Sequence, residues 1–143
     1  MSFDLKLQNG DVLLSNGDLK QVVDTEKLVQ DILKITLTDI GSNPLYPWYG
    51  SSVSKSLIGS ALPSNITLQI AQSQLQNSIE NLKKMQSIQF NSYQKTTPDE
   101  LISGILDILI DRNKKDLRLF TVNIKVLTQA LKPVQTSFNV TNI

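Results

Sequence analysis

Leu101-Ile-Ser-Gly-Ile-Leu-Asp-Ile-Leu-Ile-Asp111 can be read in two ways, and the choice decides the fold. Ile102, Leu106, Ile108 and Ile110 fit the two-residue period of a strand, whereas Ile102, Ile105, Leu106 and Leu109 fit one face of a helix. Isoleucine is branched at Cβ and stiff at χ1, which suits a pleated surface. The flanking patterns agree. Downstream, Phe120, Val122, Ile124 and Val126 alternate with Thr121, Asn123 and Lys125. Gln129-Ala-Leu-Lys-Pro133 then turns the chain, and Val134, Thr136, Phe138 and Val140 alternate again. Upstream, Ile88 and Phe90 already alternate with polar residues, and Thr97-Pro-Asp-Glu100 reads as a turn. The segment is therefore read as a strand, and residues 85–143 as a mainly antiparallel C-terminal sheet.

Before that sheet the period is helical. Leu28, Ile32 and Ile35 fall at i, i+4 and i+7, and Val29, Leu33 and Leu37 broaden the stripe to the width of a core helix. Asp24 or Thr25 is placed to cap it, and Gly41 with Pro44 stops it after Thr38. Ser51 or Ser52 is placed to open a short helix with Val53, Leu57 and Ile58, ended by Gly59 and Pro63. A longer amphipathic helix then runs from Ser64 or Asn65 through Leu68, Ala71, Leu75, Ile79 and Leu82. Lys83-Lys84 suits the negative end of its dipole. Residues 1–23 read as short strands around the turns Asn9-Gly-Asp11 and Asn16-Gly-Asp18. Strands, helices, then strands make one α+β domain over 1–143: strands at 1–23, a helical part at 24–84 and the sheet at 85–143.

Composition removes several kinds of chemistry. The chain has neither cysteine nor histidine, hence no thiolate, no disulfide and no imidazole base or ligand. No apolar run approaches the roughly 20 residues that span a bilayer. Met-Ser-Phe-Asp-Leu-Lys-Leu lacks the basic and then apolar regions of a secretory leader, so the sequons at Asn65 and Asn139 are not expected to carry glycan. The formal charge of +1 hides an asymmetry. Residues 1–40 hold seven acids and four lysines, whereas 112–132 holds six bases against Asp116. Opposed ends of this kind can steer association, and they also suit two solvated faces.

No motif carries catalysis. Asp99 and Glu100 belong to a turn, Asp107, Asp111 and Asp116 have no metal-ligand spacing, and no phosphate-binding or nucleophile-elbow pattern occurs. Gly50-Ser-Ser52 can open a helix, which suits capping better than anion binding. No catalytic residue, metal or cofactor is expected. The basic stretch from Arg112 to Lys132 can contact phosphates but offers only Phe120 for stacking, and alternation turns Phe120 inward.

One loop remains, Thr38-Asp-Ile-Gly-Ser-Asn-Pro-Leu-Tyr-Pro-Trp-Tyr-Gly50. It holds two of the six glycines, two of the five prolines, the only tryptophan and two of the three tyrosines. Glycine and proline at fixed spacing specify a backbone shape. The pattern Thr38-x-x-Gly41-Ser42-x-Pro44-x-x-Pro47-x-x-Gly50 follows an apolar helix and precedes a second helical segment. It resembles the small baseplate wedge proteins of contractile phage tails, a lysozyme-like family related to a baseplate component of type VI secretion systems. The Gly-Asp turns and the helix start Glu26 to Gln30 agree, and the likeness covers roughly residues 3–128. At the end of the long helix the family commonly has Glu-Pro-Arg, where this chain has Asn81-Leu-Lys-Lys84.

The resemblance implies a structural, non-enzymatic subunit of the tail baseplate. It would be present in several copies in a ring and be assembled in the host cytoplasm. Its implied partners are the tail sheath protein and other wedge subunits, with no nucleic acid and no membrane. It would join the wedge core to the first sheath ring, initiating sheath assembly, by strand pairing at a sheet edge. Arg118–Thr128 and Val134–Val140 are the candidate edge strands, with Arg118, Phe120, Lys125, Thr128 and Thr136 as interface residues. Gly41, Ser42, Pro44, Tyr46, Pro47, Trp48 and Gly50 form the loop motif, structural or in contact with the wedge. Tyr46, Trp48 and Tyr49 are either internal struts or partner-facing. The alternative functions are a nucleic-acid-binding module and a small glycan hydrolase.

Overall fold

A computed structural model describes residues 2–53, 64–116 and 118–141. Among these residues the architecture is α+β: small N-terminal strand pairs, two helices and a three-stranded antiparallel sheet.

The N-terminal segment folds into three short ladders. β1 (Phe3–Leu5) pairs with β6 (Gln21–Val23), β2 (Leu7–Gln8) with β3 (Asp11–Val12), and β4 (Leu14–Ser15) with β5 (Asp18–Leu19). Asn9-Gly10 and Asn16-Gly17 close the two hairpins with φ of 54°, 81°, 52° and 83°, the doubly positive geometry whose twist matches paired strands. The ladders meet in a ring of three hydrogen bonds. Lys6 N–H donates to the Lys20 carbonyl (2.8 Å), Leu13 N–H to Lys6 (2.8 Å) and Lys20 N–H to Leu13 (3.1 Å). The junction is fixed from below by Gln30, whose amide accepts from Leu7 N–H and donates to the Leu5 carbonyl and the Asp4 carboxylate.

Gln30 belongs to α1 (Asp24–Leu37), which ends at Thr38 as the sequence suggests. Neither Asp24 nor Thr25 caps it. The N-cap is Val23 without a side-chain bond, because Asp24 sits at φ 51° and its carboxylate accepts the Thr97 hydroxyl instead. The expected helix around Leu57 and Ile58 lies outside the described residues, but Val53 at its start is buried in the core.

α2 spans Ser64–Asn91, so the helix continues past Lys84 and the expected alternation at Ile88 and Phe90 is helical backbone. The physical reason is Gln86. It stands four residues after Leu82 on the buried stripe, where an apolar residue would have extended the pattern, and it is itself buried. Its amide donates to the Glu100 carbonyl (2.9 Å) and accepts from Ile102 N–H (2.9 Å), which pins the helix to the first strand of the sheet.

After a 3-10 turn at Pro98–Glu100 the sheet follows: β7 (Ile102–Arg112), β8 (Leu119–Thr128) and β9 (Pro133–Thr141), in the order β7-β8-β9. Leu101–Asp111 is thus a strand for nearly its whole length. Two bulges, between Ile102 and Gly104 and between Ile105 and Asp107, explain its helix-like spacing. They bring Ile102, Ile105, Ile108 and Ile110 opposite Thr128, Val126, Ile124 and Val122, all on the face that packs on the helices. The core lies between that face and the helices, where Leu28, Ile32, Ile35, Leu75, Ile79, Val122 and Ile124 are wholly buried.

Candidate functional site

The loop after α1 is closed at its neck. Thr38 and Ser51 join through Ser51 N–H to the Thr38 carbonyl (2.8 Å), Ile40 N–H donates back to Ser51 (3.3 Å), and the Ser51 hydroxyl donates to the Thr36 carbonyl (2.7 Å). Gly50 makes that closure possible. Its φ is +124°, and a Cβ there would stand 2.7 Å from the Thr38 oxygen and 2.9 Å from Ile40 N. Gly41 also has positive φ (+86°), and Ser42 donates from its hydroxyl to the Asp39 carbonyl. The Asn43 side chain accepts from Leu45 N–H (3.0 Å) and Tyr46 N–H (3.3 Å), an Asx turn around Pro44. Pro44 and Pro47 are exposed.

The three aromatics have separate positions, all half-buried. Tyr49 packs on the core, and burial raises its phenol pKa above the usual value. Tyr46 meets Trp48 edge-on at 5.5 Å between centroids. Trp48 rests on α2: the Lys84 ammonium lies 4.3 Å from its ring centroid, and the Asn81 amide donates to its carbonyl (3.0 Å). Asn81 and Lys84 of α2 thus hold the loop. Its exposed apolar points are Leu45 (82% exposed) and Ile40 (43%).

The candidate edge residues do not share an edge. β8 is the middle strand, paired along its length with β7 and β9, so Phe120, Lys125 and Thr128 have no free ladder beside them. Clean alternation reports that one face is covered, and it is blind to whether both edges are paired. Phe120 is buried, beneath the Arg112 guanidinium at 5.4 Å from its centroid. Lys125 is exposed opposite Asp107 and Gln135. Thr128 is buried and closes the β8–β9 turn through Lys132 and Leu131. Arg118 precedes β8 and pairs with Asp116 (3.4 Å). Only Thr136 lies on an edge strand, and its side chain faces the interior.

The two edge strands differ. β7 is bulged twice, and Gln72 of α2 donates to its Ile108 carbonyl (2.8 Å), so that edge is blunted and partly occupied. β9 has no partner beyond β8 among the described residues. Thr128 N–H donates to the Lys132 carbonyl (3.0 Å), which fixes the phase of the β8–β9 ladder. Val134, Thr136, Phe138 and Val140 then exchange hydrogen bonds with β8, and the N–H and C=O groups of Gln135, Ser137 and Asn139 point outward. Pro133, which lacks an N–H, falls in the outward phase, where a proline breaks no ladder. That proline is the sequence signal for the edge, although its place beside residues 129–132 also suits a turn.

The basic stretch is partly neutralised, by Asp116 on Arg118 and by Asp99 on Lys132 (2.9 Å). Among the described residues no group of three or more acids is placed to hold a metal, and no helix is long and apolar enough to cross a membrane.

No family model matches this chain. No curated protein matches it either. Among solved structures it is similar to a candidate tail lysozyme from Geobacter sulfurreducens, with a TM-score of 0.62 over 93% of this chain and 97% of that one, at 10% sequence identity. At that identity the likeness is one of fold. The two chains share an α+β fold over almost their whole length.

Proposed function

We propose that this protein is a non-enzymatic structural subunit of a contractile-tail baseplate wedge, joining the wedge core to the first sheath ring and initiating sheath assembly by strand pairing. The observation that carries the reading is the open edge of β9. Gln135, Ser137 and Asn139 present backbone groups at two-residue spacing that are unpaired among the described residues, and an extended arm of another chain satisfies such groups while adding a strand. The tail-related fold and the Thr38–Gly50 loop supply the context. The loop, held on α2 and tipped by Leu45, is the contact offered to other wedge subunits, and several copies stand in a ring.

The arrangement of acids supports a non-enzymatic role. A glycosidase needs two carboxyl groups flanking one cleft. The groove between α1 and the start of β9 is lined, among the described residues, by a single acid, Glu26. Glu100 is 1% exposed, and its carboxylate accepts hydroxyls from Ser2 and Thr97. Purified protein is expected to leave peptidoglycan intact, and lysis lost on replacing one acid would establish the hydrolase instead.

Gln135→Pro and Ser137→Pro remove outward N–H groups without touching the β8 ladder. Each variant is expected to fold as a monomer and to fail in sheath assembly with the neighbouring tail proteins. Normal tails from both variants would overturn pairing at β9.

A further inference from the structure

α1 carries two neighbouring apolar stripes, and only one is fully buried among the described residues. Leu28, Ile32 and Ile35 are wholly buried in the core. Val29, Leu33 and Leu37 follow at i, i+4 and i+8 on the adjoining face, and the last is 61% exposed. This second stripe forms one wall of an open groove of about 890 Å³. Pro133 and Val134, at the start of the open edge strand β9, line it as well, together with Leu7 and Val22.

We propose that this groove seats a fourth strand, an extended segment of another protein that pairs with β9 and lays alternate apolar side chains on Val29, Leu33 and Leu37. The proposal rests on the strand-pairing function above and adds the side-chain pattern that the site accepts.

The two walls ask different things of one occupant. β9 offers backbone donors and acceptors at the spacing of a strand, and α1 offers an apolar face. A helix satisfies only the second, and a wholly polar strand only the first. In an added strand, residues opposite Val134 and Thr136 point to the same side as they do, which is the side of α1, and those opposite Gln135 and Ser137 point away. The accepted pattern is therefore apolar at alternate positions with polar residues between. Charge bears on the source. The groove is lined by Lys6, Lys34 and Lys132 against Glu26. Lys34 and Lys132 hold Asp4 and Asp99, and Lys6 has no ion pair among the described residues. An acidic residue flanking the apolar run suits Lys6, whereas the edge strand of a second copy, Pro133–Thr141, carries no acid to offer it.

The test appends a turn and a strand as long as β9 to the C-terminus of the full chain. The strand alternates valine and threonine in two versions, one with valine facing α1 and one with valine facing away. Amide hydrogen exchange and thermal melting are read on both. The edge reading alone expects Gln135, Ser137 and Asn139 to exchange more slowly, by about tenfold or more, in both versions. The groove adds that the inward-valine version melts higher and that Leu33→Ser erases the difference. Equal melting of the two versions with protection present overturns the groove and leaves the edge standing. No protection in either version overturns both. An unextended chain that dimerises and protects the same three amides shows that a second copy covers the edge, and it overturns the proposal.

Discussion

A Cβ on Gly50 would lie 2.7 Å from the carbonyl oxygen of Thr38, the same carbonyl that accepts the Ser51 N–H. Backbone touches backbone at the neck of the loop, so nothing flexible can move aside. Gly50→Ala therefore meets both a steric clash and the unfavourable φ of +124°. It is expected to destabilise the fold by about 3 kcal/mol. Gly41→Ala has open space around its Cβ and meets only its φ, so it is expected to cost about 1 kcal/mol. Urea denaturation of the two variants checks the order, and equal losses would mean that the neck is not the constraint.

Gln86 gives a second prediction. Its amide satisfies one donor and one acceptor of the buried backbone at Glu100 and Ile102. Gln86→Leu keeps the volume and the helix propensity but orphans both groups, at a cost of about 2–4 kcal/mol. Hydrogen exchange at the Ile102 amide is expected to rise with it. A variant as stable as the parent would show that the strand start does not depend on this side chain.

The same residue shows why parts of the fold were hidden in the sequence. Ala71, Leu75, Ile79 and Leu82 made the helix legible, and a buried polar residue ended the visible stripe while the helix went on to Asn91. β8 was plain because its inward residues alternate without a break. β7 was ambiguous because two bulges convert alternation into helix-like spacing. Alternation carries no strand order, so it makes β8 and β9 equal candidates for the edge, and only Pro133 marks β9. The Thr38–Gly50 loop was legible as a shape from its glycines and prolines. Its hold on Asn81 and Lys84 was not, because those contacts join residues far apart in the chain.

The Asp4–Lys34 pair and Tyr49 set the behaviour in alkali. Burial acts to lower the Lys34 pKa, but the hydrogen bond and charge of Asp4, with Asp31 beyond, leave it above the ordinary 10.5. Burial raises the Tyr49 phenol above 10.0. Both groups keep their protons longer in the folded chain than in the unfolded one. Their contribution is therefore whole below about pH 10 and is lost as pH rises through the folded values. Lys34 is partly exposed, so its share is under about 1 kcal/mol. The urea midpoint is expected to fall above about pH 10, and less steeply in Lys34→Met and Tyr49→Phe. In acid the trends oppose. Burial raises Asp31, and Lys34 holds Asp4 low against its own burial. Loss of Asp4 stabilisation as its carboxylate protonates is then offset in part by Asp31.

Trp48 is the only tryptophan, so its emission reports the loop alone. Two groups of α2 hold it, the Lys84 ammonium 4.3 Å from the ring centroid and the Asn81 amide on its carbonyl. Lys84→Met removes the cation and keeps an apolar stem, at a cost of about 0.5–1 kcal/mol. Asn81→Ala removes a hydrogen bond worth about 1 kcal/mol. Either change is expected to shift the emission to the red and raise its quenching by iodide. The double variant is expected to free the loop while the helices and sheet stay folded, because Ser51 still ties the neck to Thr36 and Thr38. If Trp48 is an internal strut, wedge proteins added to the parent leave its emission unchanged, and the freed loop weakens their binding by misplacing Leu45. A spectral change on adding those proteins to the parent would instead make Trp48 itself part of the contact.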